Sequence, residues 1–229
     1  MLNIKHLSKT FILHEGNKKI HALHDISMEL HRGEFIGITG KSGSGKSTIL
    51  KSIYRTYIPS SGMILYNSHH FGEIDLAQAS ERQILHLRRK EMGYVSQFLN
   101  VMPRTSARDL VIQACMEIGV DHNQAAKEAV KMLSHFELDP ELWDSYPNTF
   151  SGGEKLRLNI ARAMVKHPKF LLLDEPTASL DHASKAKVHE LLMQLKQEGA
   201  TMIGIFHDIE FMQNLCDREY KMLDGKLLN

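Results

Sequence analysis

The stretch FIGITGKSGSGKSTILKSIYRTY, residues 35–57, decides how this chain is read. FIGITG is an apolar run ending in glycine, the pattern of a buried strand that runs into a tight loop. KSTILKSIYRTY has helical spacing. Between them, Gly40, Lys41, Ser42, Gly43, Ser44, Gly45, Lys46, Ser47 and Thr48 spell the pattern GxxxxGK[ST] and its next residue. Small residues let such a backbone wrap around phosphates with several N–H groups pointing inward. Lys46 can reach a β- or γ-phosphate and the Ser47 hydroxyl can coordinate Mg²⁺. Strand before and helix after is the context this pattern needs to be more than a flexible turn.

Working outward, residues 1–34 alternate apolar and polar side chains in LNIKHLSKTFIL and IHALHDISMEL, which predicts antiparallel strands. SGMILYN reads as a strand, SERQILHLRRKE as a helix capped by Ser80, and MGYVSQF as a strand. From about residue 98 to 165 the strand pattern stops. SARDLVIQACMEIG and NQAAKEAVKMLSHF carry apolar residues at helical spacing, with Ser106 and Asn123 placed as N-caps. KFLLLDE and TMIGIF are continuous apolar runs, as expected of parallel strands covered on both faces. Between them lies an amphipathic helix with Val188, Leu191, Leu192 and Leu195 on one stripe and Gly199 at its stop. YKMLDGKLL predicts a closing hairpin turned by Asp-Gly. The expected fold is α/β: a phosphate-loop core with a mixed, mainly parallel sheet, an antiparallel β portion and an inserted α-helical subdomain. The single domain, 1–229, divides into a core of about 1–97 and 166–229 and a helical part of about 98–165.

The bulk composition excludes several classes. With 28 basic and 27 acidic residues the net charge is +1, which gives no global case for nucleic acid or a charged membrane surface. No apolar run is long enough to span a bilayer and no secretion leader is visible, so no direct membrane insertion is expected. Cys115 and Cys216 lie far apart and outside any CxxC, which suits reduced thiols of a cytoplasmic protein. The fourteen histidines form no HExxH and no Cys/His ligand spacing; His69 and His70 read as loop residues rather than metal ligands.

Four further features cluster, in expectation, at the carboxyl ends of the core strands, where ligands of open α/β sheets bind. Asp174 ends FLLLD and can serve a Mg²⁺ shell together with Ser47. Glu175 follows it and can orient and partly deprotonate an attacking water. His207, in GIFHDIE, can hydrogen-bond a γ-phosphate and hold that water. Gln97, in YVSQF, can reach Mg²⁺ and the same water. A second glycine turn, TFSGGEKLR at 149–157, opens a helix with Ser151, Gly152, Gly153 and Glu154. A helix start of this kind can hold an anion. Because it follows a helical region that should project away from the first loop, its phosphate is expected to belong to a nucleotide on a second subunit.

Taken together, the phosphate loop, Gln97, SGGE, LLLDEP, SLD and His207 resemble the ABC ATPases in identity and order across essentially the whole chain. The resemblance implies ATP sandwiched between the phosphate loop of one subunit and the SGG turn of another, in a homodimer or with a related ATPase. It implies ATP and Mg²⁺ as ligands, with Ser47, Gln97 and Asp174 toward the metal and Glu175, His207 and Gln97 toward catalysis. It places Phe11 against the adenine and Ser179 and Asp181 in a loop at the dimer axis. Phe150 and Glu154 depart from the common LSGGQ. Within the family, LSKTFILH, VSQFLNVMPRTSA, TFSGGEKLRLNIAR and GIFHD resemble the PhnL-type ATP-binding proteins of the bacterial carbon–phosphorus lyase system. That implies a soluble phosphonate-degrading partner complex. The alternative is the motor of an inner-membrane transporter of the lipoprotein-release or macrolide-export kind, bound to a membrane permease. Phe98, Leu99, Val101 and Met102 are either a docking groove for such a partner or core. A phosphate-loop small-molecule kinase is a third reading, but it leaves SGGE and SLD without a role.

Overall fold

The computed structural model describes residues 1–13, 18–97, 99, 104–178, 180–212 and 214–228. Phe98, Val101, Met102 and Ser179 from the sequence reading therefore lie outside the described residues.

Two sheets carry the chain. The first is antiparallel, in the order β2 (Lys18–Leu30), β1 (Leu2–Leu13), β4 (Ser61–Ser68), β5 (Gly72–Asp75). The second has six strands in the order β10 (Lys226–Leu228), β9 (Arg218–Leu223), β3 (Phe35–Gly40), β8 (Thr201–Ile205), β7 (Phe170–Asp174), β6 (Met92–Val95). Its strands run parallel from β9 to β6, and only the β9–β10 hairpin is antiparallel. Asp224 and Gly225 both have positive φ at that hairpin, which is why Asp-Gly suits it.

The parallel strands separate two cores. Ile36, Ile38, Phe170, Leu172, Ile203 and Ile205 face the antiparallel sheet and the helices α1 (Lys46–Ile53) and α2 (Glu81–Lys90). Phe35, Leu171, Leu173, Met202 and Phe206 face the opposite core. That core also holds residues of α3 (Ala107–Met116), α4 (His122–His135), α5 (Gly152–Met164) and α6 (His182–Gln197). Covering on both faces explains why the central strands β3, β8 and β7 are buried along nearly their whole length and mostly apolar rather than alternating. Leu99 also sits against the helix-side core, so its role there is packing.

Helix starts follow the predicted chemistry with one correction. Ser80 and Ser106 cap α2 and α3 by accepting from Gln83 and Asp109 amides. The start of α4, expected at Asn123, lies two residues earlier. The Asp121 carboxylate accepts from the amides of both Asn123 and Gln124, so the acid takes the cap and Asn123 enters the first turn. The short β5 and the single-turn α7 (Ile209–Met212) were not visible in the sequence pattern. Neither is long enough to show a period.

A buried carboxylate joins the two sheets. Glu91, between α2 and β6, accepts hydrogen bonds from the Tyr66 and Ser68 hydroxyls and from the His69 and His70 amides. His69 and His70 are thus held by their backbones, and the described residues contain no group of three metal-ligating side chains. Burial opposes the charge on Glu91, but these donors outweigh it and hold the carboxyl below the usual range. A lowered pKa contributes stability above the unfolded pKa, and that contribution is lost as pH falls through the folded value. Replacing Glu91 by leucine takes the acceptor from the Tyr66 and Ser68 hydroxyls and the His69 amide, while the His70 amide keeps the Ser68 hydroxyl oxygen, and should cost about 3 kcal/mol in denaturant unfolding at neutral pH. The difference from wild type should shrink as pH is lowered through about pH 4.

Candidate active site

The parallel pairing brings the carboxyl ends of β3, β8, β7 and β6 to one edge. Gly40 to Ser47 leave β3, Asp174 and Glu175 end β7, His207 follows β8 and Gln97 follows β6. All four groups predicted for the core are therefore gathered at that edge.

The phosphate loop is shaped by contact with its neighbours. Gly40 has φ 140°, and a Cβ there would lie 2.2 Å from the Met222 carbonyl oxygen. Gly45 has φ 102°, and a Cβ there would lie 2.4 Å from the Ala22 carbonyl oxygen on β2. Only glycine fits both the conformation and the space. Lys46 is 4 % exposed, and its Nζ donates to the carbonyls of Gly40 and Lys41, both at 2.9 Å. Burial lowers its pKa, while the nearby Glu175 and Asp174 carboxylates oppose that shift. The Ser44 hydroxyl is buried with no hydrogen-bond partner. A buried hydroxyl left unpaired in a loop of this shape suits a phosphate oxygen as its missing partner. Lys41, Ser42 and Gly43 are exposed at the loop tip, and Thr48 joins the first turn of α1 by donating its amide N–H to the Gly45 carbonyl oxygen.

The Ser47 hydroxyl donates to one oxygen of Asp174 at 2.8 Å. The Tyr94 hydroxyl donates to the other at 2.6 Å. Burial and the Asp174 carboxylate hold the Tyr94 phenol far above its ordinary pKa, so it remains a donor. Ser47 and Asp174 supply oxygen atoms, the donors that a hard divalent cation such as Mg²⁺ prefers. Gln97, two residues past the end of β6, is exposed and shares no described contact with either.

Glu175 has φ 53°, a left-handed conformation that non-glycine residues rarely adopt. Its Oε1 lies 2.8 Å from Nε2 of His207. The carboxylate accepts from the imidazole N–H, which fixes the side-chain direction of an otherwise exposed histidine. Beyond His207, Asp208 forms a 2.8 Å ion pair with Lys185 on α6 and accepts from the Phe211 amide. Sequence reading identified neither Tyr94 nor this pair. A strand tyrosine and a helix lysine carry no local signal of what they reach across the fold.

The second glycine turn starts α5, as expected. Ser151 and Glu154 form a reciprocal cap: the Ser151 hydroxyl accepts from the Glu154 amide, and the Glu154 carboxylate accepts from the Ser151 amide. Because that hydroxyl accepts, its own hydrogen stays available to a phosphate oxygen. Gly153 is buried against α6, where an added Cβ would meet the Ser184 hydroxyl oxygen at 3.0 Å. Gly152 lines a cavity of ≈ 320 Å³ with Gln97, Leu99, Glu175 and Pro176, and no phosphate-loop residue lines it. Asp181 is exposed and caps α6 through the Ser184 amide at 2.7 Å. Phe11 lies half-buried on β1, edge-on to Tyr57 at 5.1 Å with the Lys9 ammonium 4.9 Å from its ring centre.

A family model described as ABC transporter matches residues 23–178. The chain is 33 % identical over its full length to the oligopeptide transport ATP-binding protein OppF of Bacillus subtilis, covering 74 % of that protein. It is 34 % identical to the lipoprotein-releasing system ATP-binding protein LolD of Shewanella denitrificans, covering 99 % of this chain and 94 % of that one. Its fold superposes with TM-score 0.90 and 29 % identity on the ATP-binding cassette MJ0796, solved as a dimer in a post-hydrolysis state with ADP and Pi. That superposition covers 100 % of this chain and 97 % of the other. No described helix is long and apolar enough to cross a membrane. The chain belongs to the ABC transporter family and is an ABC-type ATPase, with ATP and Mg²⁺ as the pair its phosphate loop and carboxylates are built to take.

Proposed function

We propose that the chain works as one half of an ATP-dependent clamp whose closing and opening act on a soluble phosphonate-degrading carbon–phosphorus lyase complex. What supports the clamp is that the cassette MJ0796, on which this fold superposes, was solved as a dimer with ADP and Pi, and that the cavity beside Gly152 is lined by Glu175 and Gln97 but by no phosphate-loop residue. In this reading the turn serves a partner's nucleotide, with Ser151, Gly152, Gly153 and Glu154 facing a γ-phosphate across the interface. Asp181 lies at the dimer axis in this reading. Nucleotide then joins two subunits and its hydrolysis releases them.

Within one subunit, Lys46 leaves the loop carbonyls for the phosphates, and the amides of residues 41–48 and the Ser44 hydroxyl complete the cradle. Phe11 stacks on the base. Ser47, Asp174 and Gln97 hold Mg²⁺, which when bound neutralises developing charge on the phosphates. Glu175 orients the attacking water and takes its proton, and His207 holds the Glu175 carboxylate in place and reaches the γ-phosphate.

The partner assignment rests on LSKTFILH, VSQFLNVMPRTSA, TFSGGEKLRLNIAR and GIFHD, which resemble the PhnL-type proteins in segments outside the common ATPase motifs as well as within them. A second reading, a transporter motor seated on a membrane permease, is favoured by the similarity to LolD over nearly the full length of both chains.

Glu175→Gln should keep ATP binding by calorimetry yet lower the rate of phosphate release by about 10²-fold or more; turnover near wild type would remove Glu175 from the chemistry. The same variant, purified from its own cells with Mg·ATP, should retain soluble phosphonate-processing subunits. A partner recovered only in detergent would replace that reading with the transporter motor. Phosphate appearing on a small-molecule acceptor instead of in solution would make the protein a kinase.

A further inference from the structure

The groups proposed for magnesium belong to a closed ring of contacts. Ser47 lies in the first turn of α1, and Tyr54 follows the last residue of that helix. The Tyr54 ring packs at a tilt against Tyr94, with centroids 4.9 Å apart and 39° between the ring planes. Tyr94 pairs with Leu172 across β6 and β7, and its hydroxyl reaches along the same face to Asp174 at 2.6 Å. Asp174 returns to Ser47 at 2.8 Å. Arg88 locks the ring from outside, donating from Nε to the Tyr54 carbonyl at 2.9 Å while its guanidinium lies 4.6 Å from the Tyr54 ring centre. A helix, two aromatic rings and a strand thus hold the two oxygen donors in fixed relation.

We propose that Tyr94 is a positioning residue for the metal site: its hydroxyl occupies one oxygen of Asp174, so the other oxygen and Ser47 are presented together to the cation. A carboxylate with both oxygens free could rotate about its last bond and offer either one. Held by Tyr94, it offers one in one direction, without the ordering cost falling on metal binding. A tyrosine that only filled space would need the ring and not the hydroxyl.

The inference rests on the assignment of Ser47 and Asp174 to Mg²⁺, and the test separates the two. ATP affinity is measured by calorimetry with Mg²⁺ and with EDTA, and the ratio is the readout. In Tyr94→Phe the EDTA affinity should stay at the wild-type value while the ratio falls about tenfold, the usual cost of losing an outer hydrogen bond to a metal ligand. The Mg²⁺ concentration for half-maximal hydrolysis should rise by a similar factor with kcat near wild type. A wild-type ratio in Tyr94→Phe overturns the inference. Ser47→Ala should collapse the ratio; if it does not, the metal assignment itself fails, independently of Tyr94. Should Tyr94→Phe lose nucleotide binding in EDTA as well, Tyr54→Leu takes its place. That variant frees the Tyr94 ring and touches neither ligand, so a lowered ratio supports the inference and an unchanged ratio overturns it.

Discussion

Parallel pairing of β3, β8 and β7 is the constraint on which the rest of the site depends. Each strand is buried on both faces, so its position is set by two cores at once and leaves little freedom at its carboxyl end. The phosphate loop, the Asp174–Glu175 pair and His207 leave those ends within hydrogen-bond reach of one another. The Ser47–Asp174 and Glu175–His207 contacts, both at 2.8 Å, follow from strand register rather than from any local sequence feature. Strain is tolerated where this frame over-determines it, as at Glu175 with its positive φ.

The helix side of the sheet answers a different need. The helices α3 to α6 share one core with the strand residues Phe35, Leu171, Leu173 and Met202, so the second glycine turn is fixed to the same body as the first. Gly152, the first residue of α5, lines a cavity with Glu175 and Gln97, and no phosphate-loop residue lines it. One chain therefore presents two glycine turns, one leaving β3 and one opening α5. The buried Ser44 hydroxyl and the self-capped Ser151 show the two turns differently prepared. The first is closed around its own lysine with one donor unspent, and the second is pre-formed as a helix start.

Much of this could be read without coordinates. Apolar spacing marked most of the longer helices, the SGG turn marked the start of α5, and the Asp-Gly turn carried its own conformational reason. The misplaced start of α4 shows where local reading fails: two capping residues stood two positions apart, and the stronger acceptor won. The elements β5 and α7 were missed because four residues hold no period.

What the sequence determined by itself is the inventory: a phosphate loop between strand and helix, an acid pair at a strand end, a histidine at another, and a second turn at a helix start. These depend on spacing and backbone preference, which act over a few residues. Only the tertiary structure decided who meets whom. It joined Tyr94 to Asp174, Lys185 to Asp208 and Glu91 to four donors on β4 and the turn that follows it. Such contacts arise from strand order and register, where residues eighty positions apart become neighbours, and no local pattern in a single sequence encodes that order.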